Sequence, residues 1–70
     1  MEYPKPIMKL RELKDMGFPE EFLFRAYYAN GQTFASKINP MKKSSPIFFD
    51  TAGFEKWRLQ QIKLQNGGRL

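Results

Sequence analysis

Leu10-Arg11-Glu12-Leu13-Lys14-Asp15-Met16-Gly17-Phe18-Pro19-Glu20-Glu21-Phe22-Leu23-Phe24-Arg25-Ala26-Tyr27-Tyr28 reads as two short amphipathic helices meeting at a tight turn. Within residues 8–16, Leu10, Leu13 and Met16 recur every three residues, while Lys9, Arg11, Glu12, Lys14 and Asp15 fall off that stripe. Gly17 supplies the stop, because it tolerates the left-handed backbone that commonly closes a helix. A second helix is predicted over 18–30. Pro19 suits a first turn, and Glu20 and Glu21 complement the positive end of the helix dipole. Phe22, Leu23, Ala26 and Tyr27 form its apolar face, Glu21, Phe24, Arg25 and Tyr28 project elsewhere, and Asn30-Gly31 ends it. Gly17-Phe18 alone separates the two helices, which is helix-turn-helix spacing.

Working outward, Tyr3-Pro4-Lys5-Pro6 cannot be helical, since proline fixes φ and restrains the residue before it. Residues 1–6 are read as an extended arm that docks on the domain. On the other side, Phe34–Ile38 and Ile47–Asp50 have strand composition. The intervening 39–46, with Pro40, Lys42, Lys43 and Pro46, is read as a flexible basic hairpin tip. A third helix is predicted from Thr51 to about Gln65, capped by Asp50 or Thr51 and weakened by Gly53. Phe54 and Trp57 are expected to bury together, with Tyr27 also in the core. Leu59, Ile62 and Leu64 continue with poorer periodicity, as a partner surface or a fraying end, before Asn66-Gly67-Gly68 terminates the helix. The expectation is a small α+β domain over 7–65, in the order α-α-β-β-α, with a flexible tail at 66–70.

Seventy residues hold one domain. With neither cysteine nor histidine, disulfides, ordinary zinc sites and Ser-His or Cys-His nucleophiles are excluded. The core must come from the seven Phe, three Tyr and one Trp. The seven acidic residues form no D-x-D or H-E-x-x-H cluster, so the chain is read as a non-enzyme without cofactor or metal. It carries no apolar run long enough to span a membrane and its start does not look like a secretory signal, so a cytoplasmic location is expected.

The net charge of +5 is uneven. Residues 1–30 hold five basic and five acidic side chains, whereas residues 31–70 hold seven basic and two acidic. All the excess lies C-terminal. Such a distribution suits either a polyanion-facing surface or a solvated face that keeps a small protein soluble.

Taken together, two helices, a basic-tipped hairpin and a third helix resemble the winged-helix excisionase family (recombination directionality factors), itself akin to the DNA-binding heads of mercury-resistance-type regulators. The resemblance runs from Leu10 to about Arg58. It is carried by Leu10-x-x-Leu13-x-x-Met16-Gly17, by the aromatic-arginine pair Phe24-Arg25, and by Asp50-Thr51-Ala52-Gly53-Phe54-Glu55-Lys56-Trp57 after the hairpin. The chain departs from the family pattern in having Lys9 and Pro19 where serine or threonine is usual, Phe24 in place of tyrosine, a longer wing tip, and acidic Glu20 and Glu21.

The resemblance implies a winged helix-turn-helix protein whose partner is double-stranded DNA, as an excisionase-like architectural factor or a transcriptional regulator. A tyrosine integrase and further copies of the chain on DNA are the other partners it implies. Helix 18–30 would enter the major groove, exposing Glu21, Phe24, Arg25, Tyr28 and Asn30, and the wing would lie along the adjacent groove. Arg25 suits a guanine edge or a phosphate, Tyr28 and Asn30 add hydrogen bonds, and Lys42 and Lys43 neutralise phosphates. Lys37 and Arg58 are weaker candidates. Against each stands a plainer reading: Arg25 paired with Glu21 one turn earlier, Lys42 and Lys43 merely solvated. A protein-interaction adaptor on the same fold, without DNA binding, is the alternative function.

Overall fold

The computed structural model describes residues 1–67, and the side chains of residues 1–65. Its elements follow the order β1 (Ile7–Lys9), α1 (Leu10–Asp15), α2 (Glu20–Tyr27), β2 (Ala35–Lys37), β3 (Ile47–Asp50) and α3 (Thr51–Gly67). The fold is small α+β, as expected, but a strand precedes the first helix. The three strands form an antiparallel sheet in the order β1-β3-β2.

The stretch read as the start of the first helix is β1. Met8 pairs with Phe49 and is 3% exposed, so a partner some forty positions away in the chain decides its conformation. Lys9 is extended at φ −75° and ψ 155°, and α1 begins only at Leu10. The Glu12 carboxylate accepts the Lys9 backbone N–H at 2.9 Å and an ion pair from Lys5. Lysine has no acceptor to return, so only the back-reaching half of a capping box operates. Gly17, at φ 116°, closes the helix as read. The link to α2 is longer than expected, running from Met16 to Pro19.

The core gathers Met8, Leu13, Leu23, Ala26, Ile47, Phe49 and Phe54, all buried. Leu10, Met16, Phe22, Tyr27 and Trp57 pack around it half-buried, so the predicted stripes of α1 and α2 do face inward. Phe54 is the hub, with Phe18 at 5.2 Å and Phe49 at 5.4 Å between ring centroids, both edge-on. Edge-to-face packing at such distances places the positive ring edge on the negative face.

The arm docks on this core. Tyr3 stacks on Phe18 at 6.3 Å, and its hydroxyl donates to Glu55 Oε1 at 2.7 Å. Thr51, 4% exposed, ties the same segment to α3 by donating from Oγ1 to the carbonyl oxygens of Lys5 and Pro6. Asp50 caps α3 through Ala52 N at 3.1 Å. The helix runs to Gly67, two residues beyond its expected end; Gly68 and the rest of the predicted tail lie outside the described residues.

Gly53 has a role its helix propensity hides. A Cβ built there would stand 2.6 Å from Phe34 Cβ, an atom fixed to the backbone. Alanine ordinarily strengthens a helix by about 1 kcal/mol over glycine. Here Gly53→Ala must push Phe34 or α3 aside, and overpacking of that kind costs about 1–3 kcal/mol. A lower urea midpoint is therefore expected for Gly53→Ala, and a stabilised variant would contradict the α3–Phe34 contact.

Candidate nucleic-acid interface

Helix α2 presents Glu21, Arg25 and Tyr28 along one solvent-facing side, at successive turn spacings. All three are exposed. Arg25 makes no ion pair with Glu21 or with any other acid among the described residues; Glu20 instead pairs with Lys14 at 3.3 Å. The guanidinium thus stands unengaged on the outer side of the helix.

Phe24 requires a correction. Rather than projecting to solvent, it is half-buried and packs against the core. It lines a groove between α1 and the hairpin with Lys9, Arg11, Ser45 and Pro46. Lys9 and Arg11 therefore border α2 beside the hairpin base, although neither was nominated from sequence. Charge summed over chain halves hides them, since residues 1–30 are neutral overall; on the folded surface their neighbours matter, not their position in the chain.

The hairpin joins the other edge of α2. Tyr28 and Lys37 line one concavity of about 420 Å³ with Tyr27, Gln32, Ser36 and Pro40. Lys37 Nζ lies 3.5 Å from the Lys43 carbonyl, which places Lys37 against the tip that carries Lys42 and Lys43. Both tip lysines are exposed. The tip itself is structured by local hydrogen bonds, among them Asn39 N to Ser45 Oγ at 2.7 Å and Lys42 N to the Asn39 carbonyl at 3.1 Å.

What fastens the helix to the hairpin is Gln32. Its Nε2 donates to the Tyr27 carbonyl at 3.0 Å and to the Ala35 carbonyl at 2.9 Å. Its Oε1 accepts from Phe34 N at 2.9 Å and Ala35 N at 2.8 Å. One amide thus engages the last residue of α2 and the first of β2. By taking the Tyr27 carbonyl it ends the helix there, three residues before the Asn30-Gly31 stop read from sequence. No motif marks such a residue; glutamine between a helix and a strand looks like ordinary loop polarity.

Two other nominated residues stand apart. Asn30 is exposed but lines a different cleft, beside Trp57, Lys56 and Gln60 of α3, not the Tyr28–Lys37 concavity. Arg58 is committed elsewhere: its Nε and Nη2 donate to the two Glu55 carboxylate oxygens, each at 2.8 Å. The Arg58 guanidinium holds the Glu55 carboxyl down at about 2 against the opposing effect of burial, and the Tyr3 hydroxyl adds to the lowering. Burial, then the hydrogen bond to Glu55, pushes the Tyr3 hydroxyl well above its ordinary value. Arg58 is held by Glu55, the carboxylate that also fastens the arm through Tyr3, and is not an open cation. The nominated set therefore separates into Arg25, Tyr28, Lys37, Lys42 and Lys43, which the fold links, with Glu21 on the same helix side, and Phe24, Asn30 and Arg58, which it does not.

Leu59, Ile62 and Leu64 of α3 are 51%, 42% and 70% exposed. No helix among the described residues is long and apolar enough to cross a membrane. No family model matches the chain, and neither a curated protein nor a solved structure matches it.

Proposed function

We propose that the chain is a winged helix-turn-helix protein that binds double-stranded DNA, as an excisionase-like architectural factor or a regulator on the same plan. In this reading α2 is the groove-reading helix and the β2–β3 hairpin is the wing. The observation that carries it is the Tyr28–Lys37 concavity, which joins the lysine-tipped hairpin to α2 one turn beyond the exposed Arg25. The β1-β3-β2 order supports it, since β1 pairs only with Phe48–Asp50 of β3 and does not extend along the 39–46 tip. Lys9 and Arg11 extend the cationic border beside the hairpin base.

Duplex affinity as a function of salt tests the reading. Neutralising four phosphates, the number matched by Arg25, Lys37, Lys42 and Lys43, gives a log–log slope of about −3.6. Arg25→Ala is expected to weaken specific binding by about 1–3 kcal/mol. Undetectable duplex binding at about 50 mM salt would remove the proposal, given the strength of electrostatic attraction under those conditions. The exposed Leu59 and Leu64 favour a second reading, an adaptor that keeps the fold without binding DNA, and that same null result would select it.

A further inference from the structure

Tyr28 is the anomalous residue of the α2–hairpin surface. Every other aromatic side chain of the chain is buried or half-buried, whereas Tyr28 is 74% exposed. It is nevertheless held in place. Its ring stacks on Phe24 at 6.2 Å and 19°, and meets Tyr27 edge-on at 4.9 Å. Beside it lies the concavity bordered by Gln32, Ser36, Lys37 and Pro40, with no acidic residue in its lining. Lys37 connects this hollow to Lys42 and Lys43 through the tip. Arg25 stands one turn back along α2.

A propped aromatic face with cations around it is the physical pattern that binds unpaired bases. Every base has a π-face, so stacking is tolerant of sequence, while the flanking phosphates need positive charge. Reading base edges in a duplex groove uses the Tyr28 hydroxyl at most and gives its exposed ring face no task. We propose that Tyr28 is a stacking platform for an unpaired nucleobase of single-stranded DNA, with Lys37, Lys42 and Lys43 neutralising the adjoining phosphates. The site shares the α2–hairpin surface with the duplex reading but does not need a helix in the major groove.

Fluorescence polarisation with three labelled probes tests it: a short thymidine oligomer, an abasic strand of equal length and charge, and a duplex. The thymidine strand is expected to bind about 5- to 100-fold more tightly than the abasic one. Tyr28→Ala should lower thymidine-strand affinity to the abasic level and leave abasic binding unchanged, while Tyr28→Trp keeps the preference. Circular dichroism of each variant confirms that the fold is retained. Equal binding of the thymidine and abasic strands, or a parallel loss of both in Tyr28→Ala, overturns the proposal. A uridine oligomer of the same length should bind no better than thymidine; a tenfold preference for it, about 1.4 kcal/mol, overturns the assignment to DNA in favour of RNA. The duplex probe keeps the two ideas separate. Duplex binding without base-dependent strand binding leaves the winged-helix reading standing and sinks this one, and base-dependent strand binding without duplex binding does the reverse.

Discussion

Phe54→Ala is expected to abolish cooperative folding at room temperature, or to leave it barely detectable. Phe54 is fully buried and touches rings from every layer of the molecule: Tyr3 of the arm, Phe18 of the α1–α2 link, Phe22 of α2, Phe34 beside β2, Phe49 of β3 and Trp57 of its own helix. Truncating a buried phenylalanine to alanine costs about 3–5 kcal/mol through lost transfer energy and the cavity left behind. A domain of this size has a total stability of only about 4–10 kcal/mol. The deletion therefore removes between about a third and all of it. With neither disulfide nor zinc site to compensate, no second stabilising device absorbs the loss. Phe54→Leu keeps much of the volume and should still fold. A thermal melt decides the matter: in a domain of 60–100 residues about 1 kcal/mol moves the midpoint by roughly 4–8 °C. A fall of less than about 5 °C in Phe54→Ala would show that this ring is not the hub.

Gln32→Leu is expected to be the most damaging polar substitution. It strands the Phe34 and Ala35 N–H groups and the Tyr27 and Ala35 carbonyls together, in a half-buried position. Leaving one buried polar group unsatisfied costs about 1–3 kcal/mol, and partial access of water reduces the sum. We expect about 2–4 kcal/mol in all. Gln32→Glu separates the donor from the acceptor half of the clamp. It retains an acceptor for the two N–H groups but turns a negative oxygen toward two carbonyls. The two N–H groups favour the ionised form and the two carbonyls oppose it, so the size of the loss tells the halves apart: a loss close to that of Gln32→Leu places the weight on the carbonyls, and a small one places it on the N–H groups. Amide exchange provides the spatial readout. Phe34 and Ala35 should exchange faster in Gln32→Leu, and on the proposed DNA-binding reading duplex affinity should fall with them, since the clamp sets the hairpin against α2. Unchanged exchange at Phe34 and Ala35 would show that another contact holds the hairpin.

The two predictions involve residues of very different legibility. Phe54 announces itself: it lies three positions before Trp57 on a capped helix, and its chemistry allows only burial. Gln32 does not, because its meaning lies in four backbone groups that come within reach of one side chain only after α2 and β2 have been placed. The same contrast runs through the interface. Arg25 was picked out by its place on the polar side of α2, and it is exposed and unpaired. Arg58 looks equally suitable in one dimension, yet both carboxylate oxygens of Glu55, three residues earlier, claim it. Phe24 was assigned to solvent by helical phase alone, whereas the hairpin and α1 approach that edge and half-cover it.

Local pattern by itself determined the three helices, the β2–β3 hairpin with its basic tip, the Gly17 and Asp50 boundaries, and the aromatic composition of the core. These depend on interactions within a turn or two of each residue, so spacing and capping chemistry carry them. Tertiary structure alone decided that Ile7–Lys9 is a strand, that Gln32 fastens helix to hairpin, that Gly53 is needed beneath Phe34, and that Lys9 and Arg11 border the candidate interface. Except for Gln32, whose partners lie two to five residues away, each rests on a partner far along the chain, and in every case the proximity that gives it meaning exists only once the chain has folded.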